Sequence, residues 1–185
     1  MPETITWRSL LSRAAEVYDE PGGTLAHDAR RAAWGGFASG AQWMKLALER
    51  HRGEPLGPPS VLAKNFHRLG AVKYAVASAV ALGWAVGSFC IGWPVLAALA
   101  APLFYAVEVQ GLFLYPVALD GDPRPFRTAR RWTVKAGGTL RAMTIVMPIA
   151  ATMLFGGFVG RGFLRSWCLG CLAVCIWYEA LRTEG

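Results

Sequence analysis

The sequence is short of the features that announce soluble enzyme chemistry. It contains no glycine-rich phosphate loop, no nucleophile elbow and no pair of acids at catalytic spacing. Its three histidines, His27, His51 and His67, are widely separated and all precede the first long apolar run, so no metal site is expected and no cofactor is implied. The four cysteines, Cys90, Cys168, Cys171 and Cys175, all fall inside apolar runs, which is not the pattern of a secreted disulfide framework. The first twenty residues carry Glu3, Glu16, Asp19 and Glu20 around no apolar centre. No cleavable signal is therefore read there, and the first spanning helix is expected to serve as its own insertion signal.

What the chain has in quantity is apolar length. Hydrophobic residues make up 54% of its 185 positions and the mean hydropathy is +0.33, too apolar for an ordinary soluble domain of this size. The formal charge of +7 would suit a nucleic-acid binder. The basic residues, however, crowd the ends of apolar runs, as the positive-inside rule expects, so a nucleic-acid partner is not expected. The pattern predicts an all-α, polytopic integral membrane protein with four transmembrane helices in two tight hairpins, at about 71–92, 94–119, 142–160 and 166–181. These build a domain over 70–185, preceded by a cytoplasmic and interfacial helical region over 1–69. Arg124, Arg127, Arg130, Arg131, Lys135 and Arg141 lie between the second and third spans, and Lys64, Arg68 and Lys73 flank the first. The opposite turns hold only Arg161 and Arg165. Both termini are thus expected on the inner face of a bacterial cytoplasmic membrane.

Within 1–69, the spacing of Trp7, Leu10, Leu11, Ala14, Ala15 and Tyr18 predicts a helix, broken by Asp19-Glu20-Pro21-Gly22-Gly23. Thr24 is a plausible cap for a second helix running to about Arg50. Its centre, Ala32 to Leu48, mixes Trp34, Phe37, Trp43 and Met44 with Gln42, Lys45 and three glycines. It reads as a helix lying on the bilayer; a fifth span there would move the N-terminus outside. Gly53 to Pro59 is a linker. In the spans, Ala79, Gly83 and Gly87, and likewise Thr144, Pro148, Thr152, Gly156 and Gly160, recur at spacing four, which lets helices approach closely. Pro102 and Pro116 are expected kink sites in the second span.

Glu108, inside the second span, is the first candidate functional residue. An ionised carboxylate in hydrocarbon costs at least about 2.5–3.5 kcal/mol on insertion scales. No Lys, Arg or His is read at matching depth in the other spans. The expectation is a protonated acid bonded to Tyr105, Thr144 or Thr152, or a cation supplied by another chain. A helix at about Pro125 to Lys135 would offer Arg127, Arg130, Arg131 and Lys135 to lipid headgroups. Asp120-Gly121-Asp122 lacks the further acids that the membrane CDP-alcohol transferases carry downstream, so a lipid-modifying enzyme at the inner interface is the weakest reading.

Cys168, Cys171 and Cys175 share one helix face, and Cys168 is expected at the outer surface level with Cys90. Cys168-Leu169-Gly170-Cys171 locally resembles the CxxC of the four-helix disulfide-generating quinone reductases. That resemblance implies thiol–disulfide exchange by Cys168 and Cys171. It departs from the family in placing the pair on the fourth span and in lacking the family's second, loop-borne pair. The leading functional expectation is non-enzymatic: a transporter or channel component, or an accessory subunit, working as a homo-oligomer or with other membrane subunits.

Overall fold

A computed structural model describes residues 5–20, 24–33, 35–57 and 65–183. Trp34, Lys64 and the end of the 53–59 linker lie outside these residues. Helix α1 spans Trp7–Tyr18, the segment predicted from periodicity. It begins where Thr6 and Ser9 cap each other's backbone N–H groups, and it buries Leu10, Ala14 and Tyr18 on one face. The single helix expected from Thr24 to about Arg50 is instead two: α2, Leu25–Ala32, and α3, Gly36–Arg52. The break falls at the Gly35-Gly36 pair. Gly36 sits at φ +64° with the His67 ring 3.2 Å from where a Cβ would stand, a conformation and a contact that favour glycine. Gly53, at φ +71°, closes α3.

Helix α4 spans Phe66–Cys90, capped by Asn65. The chain turns at Gly92 and returns through a 3-10 segment, Pro94–Leu99, into α5, Ala100–Glu108. A second 3-10 turn, Val109–Gly111, leads to α6, Leu114–Leu119. The second apolar stretch is therefore a broken rod. Pro102 and Pro116 each lie in the first turn of the helix that follows a break, where a missing N–H costs nothing. Helices α7, Pro125–Lys135, α8, Gly138–Phe155, and α9, Phe163–Thr183, complete the chain. The third apolar helix stops earlier than its expected end because Gly160, at φ +80°, unwinds the turn at 157–161. All regular structure among the described residues is helical. Four stretches are long and apolar enough to cross a membrane: 66–90, 94–119, 138–155 and 163–183.

The hydrophobic core forms around α9. Within its apolar window 67% is buried inside the protein, against 17% for each of the first two stretches. Helix α1 packs along α9, α3 packs on α9 and α6, and α8 pairs with α9. One cluster joins Leu10, Ala14 and Tyr18 of α1 and Trp43, Ala47 and Leu48 of α3 to Phe113, Leu172, Trp177 and Leu181. The α4–α5 hairpin stands apart from it, with Val76, Leu82, Val86, Phe89, Trp93 and Val95 exposed.

The two small-residue faces differ in use. A Cβ at Gly156 would meet Ser166 Oγ at 2.2 Å and the Thr152 carbonyl at 2.5 Å, whereas one at Gly83 or Gly87 meets nothing within 4 Å. Gly156→Ala is expected to destabilise the fold by about 1–3 kcal/mol through overpacking. Gly87→Ala is expected to be neutral or stabilising. Thermal unfolding in mild detergent compares the two.

Candidate functional site: two ion-pair clusters

Glu108 is paired. Its Oε1 lies 2.5 Å from Lys73 Nζ, and the two side chains are only 10% and 7% exposed. This corrects the expectation that the chain itself offers no counter-ion. Lys73 reads in the sequence as a flank of the first span, but α4 starts at Phe66, which draws Lys73 two turns inside the helix. It follows Leu69 and Gly70 and precedes Ala77 on the buried stripe of α4. Its alkyl stem passes Gly111, 3.6 Å from where a Cβ would stand, an ordinary packing distance. Glu108 Oε2 and the Tyr115 hydroxyl are buried with no hydrogen-bond partner. Tyr115 stacks near Phe37 and Phe66 (ring centroids 6.5 and 6.1 Å) at the point where α3 meets α4.

Of the residues expected beside Glu108, Tyr105 shares its helix face and is partly buried. Thr144 and Thr152 are not drawn in. Their hydroxyls donate to carbonyls of their own helix, Thr144 to Arg141 (2.8 Å) and Thr152 to Pro148 (3.0 Å). The residue of α8 that does reach across is Thr139, whose Oγ1 accepts from Gln110 Nε2 at 2.8 Å. The buried Thr133 of α7 donates to the Val109 carbonyl (2.8 Å), satisfying a group at the start of the 3-10 turn.

A second cluster sits at the far end of α9. Arg52, closing α3, donates from Nη1 to Asp120 Oδ1 (2.6 Å) and from Nη2 to Asp120 Oδ2 (3.0 Å) and Glu179 Oε1 (2.5 Å). The Tyr178 hydroxyl donates to Asp120 Oδ2 at 2.7 Å. Burial alone would lower the Arg52 pKa, but hydrogen bonds to Asp120 and Glu179 override it and hold the guanidinium above its ordinary value. Arg52, Glu179, Arg13, His51 and Arg182 line an open pocket of about 610 Å³. Sequence reasoning did not single out Arg52, Tyr178 or Glu179. The available signal was Glu179, a second acid in an apolar run. Asp122 is separate from this cluster and accepts from the Arg124 backbone N–H at 2.6 Å.

Helix α7 buries Pro125, Ala129 and Thr133 and leaves Arg127, Arg130 and Arg131 on its free face. Lys135 is spent differently: Nζ donates to the Leu181 carbonyl at 2.6 Å and lies 4.7 Å from the Trp132 ring centre. Cys168 and Cys175 are buried, Cys171 is partly buried and Cys90 is exposed; all four are free thiols. Cys90 stands on α4 about 25 Å beyond Lys73, at 1.5 Å per residue, so it does not join the other cysteines. The histidines stay in separate places, with His27 beside Asp28, His51 at the pocket and His67 at Gly36. Among the described residues no group of three or more His, Cys, Asp or Glu is placed to hold a metal.

Comparison with protein-family models, with curated proteins and with solved structures finds no match for this chain.

Lys73→Met or Glu108→Gln alone strands one polar partner, and Lys73→Met, which leaves a buried carboxylate, is expected to cost about 3–5 kcal/mol. The double variant should recover most of that, as a thermal-unfolding cycle in detergent would read. Arg52→Met is expected to destabilise on a similar scale. Because the folded pKa of Arg52 is raised, its contribution is complete below the ordinary arginine value and lost only as pH rises through the folded one. The difference between wild type and Arg52→Met attributable to guanidinium titration should therefore stay flat across the neutral range.

Proposed function

We propose that this chain is a multi-pass, non-enzymatic subunit of a bacterial cytoplasmic membrane complex, with both termini and the basic α7 segment on the cytoplasmic side. The observation that carries this reading is the Lys73–Glu108 pair. A carboxylate committed to a lysine at 2.5 Å is a structural joint between α4 and α5 rather than a vacant proton-binding group, and Glu108 lines neither the pocket at Arg52 nor the one at Thr152 and Arg161. That supports an assembly role over the transporter or channel alternative. The bare apolar face of α4, with Gly83 and Gly87 open, is suited to lipid and to the close approach of another helix, from a further copy or another subunit. Arg127, Arg130 and Arg131 on the free face of α7 suit anionic headgroups. The thiol–disulfide alternative, which uses Cys168 and Cys171, draws less support, because Cys168 is buried and Cys171 only partly exposed, and exchange requires access.

Purification in mild detergent followed by native mass determination tests the reading. Stoichiometric partner chains are expected, and Glu108→Gln should weaken their retention together with fold stability. A lone chain or homo-oligomer that supports proton or ion flux in liposomes, abolished by Glu108→Gln, would replace it with the transport reading.

A further inference from the structure

The four apolar stretches are not equivalent towards lipid. No charged residue occurs from Tyr74 to Val107, and the Lys73–Glu108 pair closes that interval at its base. Beyond the pair, towards the tip of the hairpin, the buried residues of α4 are only Ala77 and Ser88, and α5 has none before Glu108. The hairpin is thus apolar on every side and bare on nearly every side. Two of its side-chain polar groups are satisfied within it: the Trp84 indole donates to the Leu96 carbonyl at 2.8 Å, and the Ser88 hydroxyl to the Trp84 carbonyl at 2.8 Å. Hydrocarbon demands such internal satisfaction, and water does not. From Tyr74 to Cys90 the helix extends about 25 Å, close to the thickness of a bilayer core of about 30 Å.

Helix α9 is the opposite case. Helix α1, 12 residues against the 21 of α9, runs antiparallel along part of it. At one end Asp19 pairs with Arg165; at the other Arg13 shares a pocket with Ile176, Glu179 and Thr183. The face that α1 turns away from α9 carries Arg8, Ser9, Ser12 and Glu16, all exposed. An arginine and a glutamate on that face are costly to bring against acyl chains.

We propose that the bare α4–α5 hairpin is the principal lipid-inserted element, with Lys73–Glu108 at its mouth, and that α9 is a core helix sleeved by α1, whose outer face meets water. This rests on the membrane reading above and changes which helices face lipid. Hydropathy alone does not separate α9 from the others; its sleeve does.

The test uses the full chain with Cys90→Ser and Cys171→Ser, which leaves only the buried thiols of Cys168 and Cys175. A fluorophore is attached at Leu82→Cys or Val86→Cys in the hairpin, and at Ser12→Cys or Arg8→Cys on α1. The protein is then reconstituted in phosphatidylcholine–phosphatidylglycerol vesicles. Acyl-brominated lipid should remove most of the emission at positions 82 and 86 and leave positions 8 and 12 unchanged. Aqueous iodide should do the reverse. Lipid quenching at position 12 equal to that at 82 would overturn the proposal by placing α1 in the bilayer. Shielding of position 12 from both quenchers would overturn its water-facing surface in favour of a protein-covered one. Absence of lipid quenching at 82 and 86 would instead sink the membrane reading itself.

Discussion

Lys73 and Glu108 each make the other admissible. Either charge alone, buried to the extent found here, would have to be neutralised or hydrated. Together they close a joint between α4 and α5 at the level where the packed body ends and the bare hairpin begins. The joint is a directional contact between the two helices and holds them in one register. The rest of the molecule's division into a protein-packed part and an apolar projection follows from where that pair sits.

The body is organised by a different rule. Helix α9 gathers helices from both ends of the sequence, and Arg52 binds the end of α3 to Asp120 after α6 and to Glu179 on α9. One planar fork thereby sets three elements in position. The irregular second apolar stretch is tolerated for a related reason. At its 3-10 turn the neighbouring α7 and α8 contribute Thr133 and, through Gln110, Thr139, so that the distorted backbone is answered by side chains rather than by water.

What was legible in the sequence was whatever is written in local spacing. The face of α1 at Leu10, Ala14 and Tyr18, the helix at Pro125 to Lys135, the four apolar lengths and the proline-marked breaks all depend on residues a few positions apart. The break between α2 and α3 depends on a close approach of His67 to Gly36, which no local period encodes. The pairings were hidden for the same reason. Arg52 reaches Asp120 across 68 positions and Glu179 across 127, and Lys73 was masked by an assumed helix start that proved too late. Glu108 stood out because a lone acid in an apolar run is visible without knowing its partner; its partner was not.

The packing of α1 on α9 sets an order of events during synthesis. Trp7–Tyr18 leaves the ribosome well before Phe163–Thr183, yet the surface that covers Leu10, Ala14 and Tyr18 belongs to that later helix. Until α9 has been made, the early helices hold an apolar face without its partner, and the α4–α5 hairpin emerges in the interval. Contacts of such long sequence separation form late and slowly. The hairpin is therefore committed to its surroundings before the body can close, and the nascent body depends on whatever shields its exposed face in the meantime.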